Sequence, residues 1–242
     1  MICERGTPAL REAAAAEWRH RWSFELQAAA RFRRLSHTLK QLGAHEAVIA
    51  QAADAAVDEA RHATQCEALI GYFGHTAGEA PAFEDRPAAP SGLSARERLT
   101  YELVAMSCIT ESLSCALLGE LVERATDRHT KKEMHSILKD EVGHSRLGWA
   151  YLASEESKGP HHFIADYLPS MLSATVPPSL FTPRPEHPLE SDLSGLGALE
   201  HAERRRIFIA SMREIVFPGL EHFGIDTTTA RAWLAPRADI SP

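Results

Sequence analysis

Two segments of this chain carry Asp-Glu-x-x-His, namely Asp58-Glu59-Ala60-Arg61-His62 and, about eighty residues later, Asp140-Glu141-Val142-Gly143-His144. Residues three apart on a helix are neighbours on one face, so each segment sets a carboxylate beside an imidazole. Upstream of each, in an apolar-periodic stretch, stands a further acid: Glu25 and Glu111. Four carboxylates and two imidazoles make the donor set of a carboxylate-bridged pair of divalent ions. The motif alone decides little, because 24 Glu and 13 His in 242 residues give roughly one Glu-x-x-His by chance. A third copy, Glu17-Trp18-Arg19-His20, supplies the contrast. No Asp precedes it, and His20 lies off the stripe of Trp18, Trp22, Glu25, Ala29, Phe32 and Leu39, so Glu17 and His20 read as a solvated helix end.

Four long helices must position these groups. The apolar spacing predicts them from about Pro8 to Leu42, from about His45 to Phe73, from Ser94 to a turn at Ala125-Thr126-Asp127, and from there to about Glu156. Gly43 and Gly74 offer C-terminal stops, and Ser94 with Glu97 forms a capping box. On the third helix, Leu103 and Tyr101 compete for one inward position and Met106 and Cys108 for the next. Short turns pair the helices into two antiparallel hairpins, and residues 75–92, with Pro81, Pro87 and Pro90, form the one long crossover.

In such a hairpin, residues equidistant from the turn sit level, since both helices rise about 1.5 Å per residue. Glu25 and Glu59 are centred on position 42, Glu111 and Glu141 on position 126. Both hairpins therefore hold their carboxylates level, with His62 and His144 one turn further on. Four buried carboxylates cannot all ionise without cations, and a thiolate-free donor set suits iron or manganese. Glu59 and Glu141 are then the bridging candidates, Glu25 and Glu111 terminal ligands, and each His binds one ion. Asp58 and Asp140 are placed to accept the far N–H of the histidine on the opposite helix.

Composition fits one domain over residues 1–242, with 44% hydrophobic and 24% charged residues. A net charge of −7 argues against nucleic acid as a partner, and Arg204-Arg205-Arg206, beside Glu200 and Glu203, reads as a solvated face. No charged and apolar leader is visible and no stretch of about twenty apolar residues, so neither export nor membrane spanning is expected and the location expected is the cytoplasm. Cys3, Cys66, Cys108 and Cys115 lack C-x-x-C spacing, which argues against a zinc ribbon, a rubredoxin-type site and a disulfide framework. Residues 159–194 carry Pro160, Pro169, Pro177, Pro178, Pro183, Pro185 and Pro188, which predicts an extended strap with a short helical piece near Phe163 to Leu172. A fifth helix is expected from about Gly197 to Phe217, stopped or bent at Pro218-Gly219, and a last one capped by Asp226 and ending near Leu234.

At Glu25, Glu59-x-x-His62, Glu111 and Glu141-x-x-His144 the chain resembles the ferritin-like diiron-carboxylate superfamily, over about residues 8–156. The resemblance implies an all-α, ferritin-like four-helix bundle (8–156), to which residues 157–242 add the Pro-rich strap and C-terminal helices. It implies two Fe as cofactor, or a Mn/Fe or Mn/Mn pair. Arg61 matches an Asp-Glu-x-Arg-His form in which the Arg supports the ligands; Gly143 departs from it and reads as allowing a closer backbone approach. Cys66 stands where reductase subunits of the superfamily carry a radical Tyr, and the paired C-x-x-C of rubrerythrins is missing. Small residues around the centre, with Cys66, Cys108 and Cys115 as pocket residues, either leave room for a substrate, which the strap would lid, or pack the helices closely with Cys as a small hydrophobe. These features favour an oxygenase or oxidase that activates O₂ to hydroxylate, N-oxygenate or desaturate a small organic molecule. No flavin, nicotinamide or iron–sulfur motif is visible, so a separate ferredoxin or reductase supplies electrons. The alternatives are a ferroxidase or peroxidase, and a non-catalytic helical partner protein with a structural metal. The stripe of the fifth helix serves either its own bundle or a homodimer; His129, His135, His161 and His162 read as surface residues.

Overall fold

The computed structural model describes residues 6–80, 82–155, 161–182 and 193–238, and every regular element among them is helical. Helix α1 (Pro8–Gln41) starts on Thr7, whose hydroxyl accepts the Leu10 N–H at 3.2 Å, with Pro8 in the first turn, where its missing N–H has no partner to lose. Helix α2 (Glu46–Tyr72) starts on His45, whose Nδ1 accepts the Ala47 N–H. The two pack along their length as a hairpin, with Ala52, Ala55, Ala56 and Ala63 of α2 buried.

Helix α3 (Ala95–Arg124) begins on the Ser94–Glu97 capping box and contains a π segment, Val104–Glu111. A π turn adds a residue and rotates the face that follows. This is why α-helical periodicity leaves Met106 and Cys108, inside the segment, as rivals: Cys108 is buried and Met106 half-buried, while Tyr101 and Leu103, ahead of it, are both buried. By length and composition α3 is apolar enough to cross a membrane, which the sequence reading did not anticipate; 56% of its most apolar window is buried within the fold. Helix α4 (Arg128–Glu155) follows a turn in which Asp127 Oδ1 accepts the Thr130 N–H at 2.8 Å.

Cross-links set the directions. Gln65 donates to Glu133 at 2.9 Å and Tyr72 to Asp127 at 3.0 Å, so α2 and α4 run antiparallel; Arg34 paired with Glu102 and Arg96 donating to the Leu42 carbonyl at 2.9 Å do the same for α1 and α3. Two apolar clusters fill the interior, one around Phe32, Leu39, Leu99 and Tyr151, the other around Trp18, Cys66, Leu118 and Phe208. The acidic level lies between them.

The short helical piece expected near Phe163 to Leu172 is present within the region read as a strap. Helix α5 (Ile164–Thr175) contains Pro169 and buries Ile164, Leu168, Met171 and Leu172. Pro169 has no N–H for the Ala165 carbonyl, and the Thr229 hydroxyl, from the last helix, donates to that carbonyl instead at 3.1 Å. A 3₁₀ turn, Pro178–Phe181, follows; Cys3, Pro160, Pro183, Pro185 and Pro188 lie outside the described residues. Helix α6 (residues 201–222) joins His201–Ser211, a π turn Met212–Val216 and Phe217–His222. It therefore continues past Pro218, because the π turn lies where that proline leaves a carbonyl without its usual N–H. Its apolar face, Ile207, Phe208, Met212 and Val216, is buried within the chain. Asp226 caps α7 (Thr228–Ala238), accepting the Thr228 N–H at 2.8 Å, and α7 runs beyond Leu234 through Pro236. The arginine triplet is not simply a solvated face: Arg205 is buried and Arg204 pairs with Glu17 at 2.5 Å.

Candidate metal centre

Glu59 and His62 of α2 meet Glu141 and His144 of α4 in the layer between the apolar clusters. All four are buried, and one ligand atom from each lies within 4.8 Å of every other. His62 Nδ1 is 3.4 Å from Glu59 and 3.6 Å from Glu141; His144 Nδ1 is 3.0 Å from Glu59 and 3.4 Å from Glu141. Each imidazole thus faces both carboxylates. The far nitrogens reach across to the opposite helix, His62 Nε2 to Asp140 at 3.3 Å and His144 Nε2 to Asp58 at 3.5 Å. Arg61 clamps the two aspartates, at 2.6 Å from Asp58 and 2.8 Å from Asp140.

With each Nε2–H directed to an aspartate, the Nδ1 lone pairs point at carboxylate oxygens. Both Nδ1 atoms, both oxygens of Glu59 and Oε2 of Glu141 are buried without a hydrogen-bond partner: the separations are short but the angles do not serve hydrogen bonds. Buried acceptors facing one another repel unless protons or cations sit among them. Burial pushes the His62 and His144 pKa down, yet Glu141 and Glu59 outweigh it and raise His62 to about 9 and His144 to about 11. Burial likewise pushes Glu59 and Glu141 up, and the two imidazoles bring both below the usual carboxylate range. These residues fit a pair of divalent ions: orphaned lone pairs converge from opposite helices, and divalent cations can take the place of the protons.

Glu25 of α1 and Glu111, at the end of the π segment, stand beside this cluster. Glu25 Oε2 is 3.9 Å from His62 Nδ1, and Glu111 interacts with Glu141 and His144. Burial, then the neighbouring carboxylates, hold both well above the ordinary range.

Two supports escaped sequence reasoning. Ser107, in the π segment, accepts the Gly148 N–H at 2.8 Å and donates to the His144 carbonyl, so its hydroxyl bridges two backbone groups one turn apart on α4. A Cβ on Gly148 would lie 2.5 Å from Cys108 Sγ and 2.9 Å from the Leu103 carbonyl, so glycine alone lets α3 approach this closely. Gly143, expected to have that role, faces open space.

Between α1 and α3, which scarcely touch, lies a cavity of about 460 Å³ with Glu25, Glu59, Glu111 and Glu141 as its floor. Trp18, Leu113 and Leu117 wall one half, Ala28, Ala105 and Met106 the other, and Met171 and Thr175 of α5 close over it. None of the three cysteines expected in the pocket lines it. Cys66 and Cys108 are fully buried and Cys115 is half-buried, because the gap opens toward α1 whereas Cys108 packs on Gly148. Burial pushes all three thiols up, Cys115 to about 12, which leaves them poor thiolate ligands. Compared with protein-family models, with curated proteins and with solved structures, the chain finds no match.

Proposed function

We propose that the protein is a non-haem diiron oxygenase or oxidase, built on a ferritin-like four-helix bundle of α1 to α4, that uses O₂ to oxidise a small organic molecule. The observation that carries this reading is the meeting of cluster and cavity: four carboxylates of the donor set floor a space of about 460 Å³, the size class of small-molecule sites. When bound, two iron ions supply the redox equivalents and a template for O₂. His62 and His144 present Nδ1 inward because Asp140 and Asp58 hold their far nitrogens, which fixes tautomer and ring orientation. Glu59 and Glu141, each facing both imidazoles, would hold the ions together with His62 and His144, and Glu25 and Glu111 would add carboxylates from the cavity side. Trp18, Leu113, Leu117, Ala105 and Met106 give the acidic floor apolar neighbours against which the body of an organic molecule can pack. Two electrons per turnover come from a separate ferredoxin or reductase.

The test is an anaerobic Fe(II) titration of metal-free protein, followed by rapid mixing with O₂. Saturation at about two irons per chain, with a transient visible absorption that Glu111→Ala abolishes, is the expected result. Iron loading far beyond two per chain replaces this reading with the ferroxidase one, and no iron binding overturns the metal centre altogether.

A further inference from the structure

The cavity holds a charge that the metal centre does not explain. Arg34 is held by Glu102 and by Asp85 at 2.9 Å, Arg204 by Glu17 at 2.5 Å and Arg86 by Glu84 at 2.6 Å, while Arg31, which donates to Gln27 at 3.3 Å, is exposed. Arg21 has no such match: its one ionic approach among the described residues is Glu25 at 3.7 Å, too long for a hydrogen bond. Its guanidinium lies 6.0 Å from the centroid of the Trp18 ring, and it faces the cavity.

The antiparallel course of α1 and α3 sets the rest of this half-cavity. Trp18 and Arg21 precede Glu25 on α1, and Leu113, Leu117 and Leu121 follow Glu111 on α3, so all five fall on the same side of the acidic floor. Arg21 is one helical turn, roughly 6 Å, from Glu25. Four carboxylates against two divalent ions leave the floor without net charge, Glu17 and Arg204 at the rim neutralise each other, and the Arg21 guanidinium is then the charge in this half of the cavity without a close carboxylate, beside the apolar Trp18, Leu113 and Leu117. A planar fork of N–H donors in such a place suits a carboxylate in two-point contact.

We infer that this half of the cavity binds a small monocarboxylate, its carboxylate on Arg21 and its apolar body between Trp18 and Leu113/Leu117, above the acidic floor. This names the substrate class of the metal centre and rests on that reading for the claim that the bound acid is oxidised; binding itself is measured separately. An amine would meet Arg21 with like charge, and a neutral alcohol would leave the guanidinium desolvated and unpaired.

The experiment is anaerobic calorimetric titration of the Fe(II)-loaded protein with 3-phenylpropionate, 3-phenylpropylamine and 3-phenylpropanol. The acid is expected to bind one per chain, with the amine and alcohol at least about tenfold weaker. Arg21→Gln is expected to weaken the acid by about tenfold or more with iron stoichiometry unchanged, and Arg21→Lys to recover part of the loss. Arg31→Gln, in the other half of the cavity, should leave acid binding as it was. Acid binding that survives Arg21→Gln places the carboxylate on the metal or elsewhere and overturns the inference, as does an amine or alcohol that binds equally well. With iron loading intact, neither result touches the metal-centre reading. Should iron not bind, that reading fails by itself. The same titration of metal-free protein then decides the slot: Arg21-dependent binding of the acid keeps it, and no binding overturns it.

Discussion

Two imidazoles that point lone pairs at carboxylates need something between them, and in the metal-free protein that something is protons. His62 is raised to about 9 and His144 to about 11 by Glu141 and Glu59, against the opposing effect of burial. Metal binding near neutral pH must displace those protons. Zn(II) or Fe(II) added to weakly buffered protein at about pH 7 should therefore release about two protons per chain or more; release of fewer than one would show that the Nδ1 atoms are already free. The same shifts fix a stability profile. A histidine whose pKa is raised in the folded state stabilises fully below its unfolded value and loses that contribution as pH rises through the folded value. Thermal unfolding of metal-free protein should thus occur at progressively lower temperature as pH rises from about 6.5 to about 11. Metal-loaded protein, in which the ions replace the protons, should lack this alkaline decline, and a parallel decline in both forms would refute the assignment. At this scale the sequence was informative because the rise of a helix is rigid: counting back from each turn set Glu25 level with Glu59 and Glu111 level with Glu141, and the fold adds the meeting of the two hairpins at Glu59, His62, Glu141 and His144.

Between elements, the informative contact is the one local pattern could not reveal. The π segment of α3 exists together with a tertiary hydrogen bond: Ser107 bridges the His144 carbonyl and the Gly148 N–H of α4. Neither partner announces this in its own helix, so periodicity alone yields an ambiguous face. Gly148 and Gly143 make a paired test. Gly148→Ala brings a methyl within 2.9 Å of the Leu103 carbonyl, a backbone atom that cannot swing away, and should destabilise by about 2–3 kcal/mol in chemical denaturation. It should also lower metal affinity, since the displaced turn carries His144. Gly143→Ala meets open space on a helix and should stabilise by about 0.5–1 kcal/mol. Ser107→Ala leaves the buried Gly148 N–H and His144 carbonyl without their relay, at about 1–3 kcal/mol, and Ser107→Thr should restore part of that. Equal effects at Gly143 and Gly148 would mean that the close approach of α3 to α4 has no energetic role.

For the whole molecule the question is whether the C-terminal third is an appendage to the helices that carry the donors. The prolines between residues 159 and 194 suggested a strap, because each removes a helical hydrogen bond. In the fold, the carbonyl orphaned by Pro169 is met by Thr229, 64 residues away in sequence, a compensation no local rule can foresee. Leu168, Leu172, Phe208, Met212, Val216 and Phe217 are each 1% exposed or less and belong to the same apolar cluster as Trp18, Cys66 and Leu118. Met171, Thr175 and Leu199 also wall the cavity. Fully burying one large apolar side chain contributes about 1.5–3 kcal/mol, so losing all six removes an amount comparable to the whole stability of an ordinary domain, about 5–15 kcal/mol. A chain ending at Glu155 should therefore fail to unfold cooperatively, and should bind a dye for exposed apolar surface while keeping helical circular dichroism. Thr229→Val, which removes a single hydroxyl from the Ala165 carbonyl, is the milder version and should lower stability by about 1 kcal/mol with metal stoichiometry unchanged. A truncated protein that melted in one sharp transition at the full-length temperature would show that residues 8–155 hold their own core, and the cavity roof would then be an addition to a finished fold.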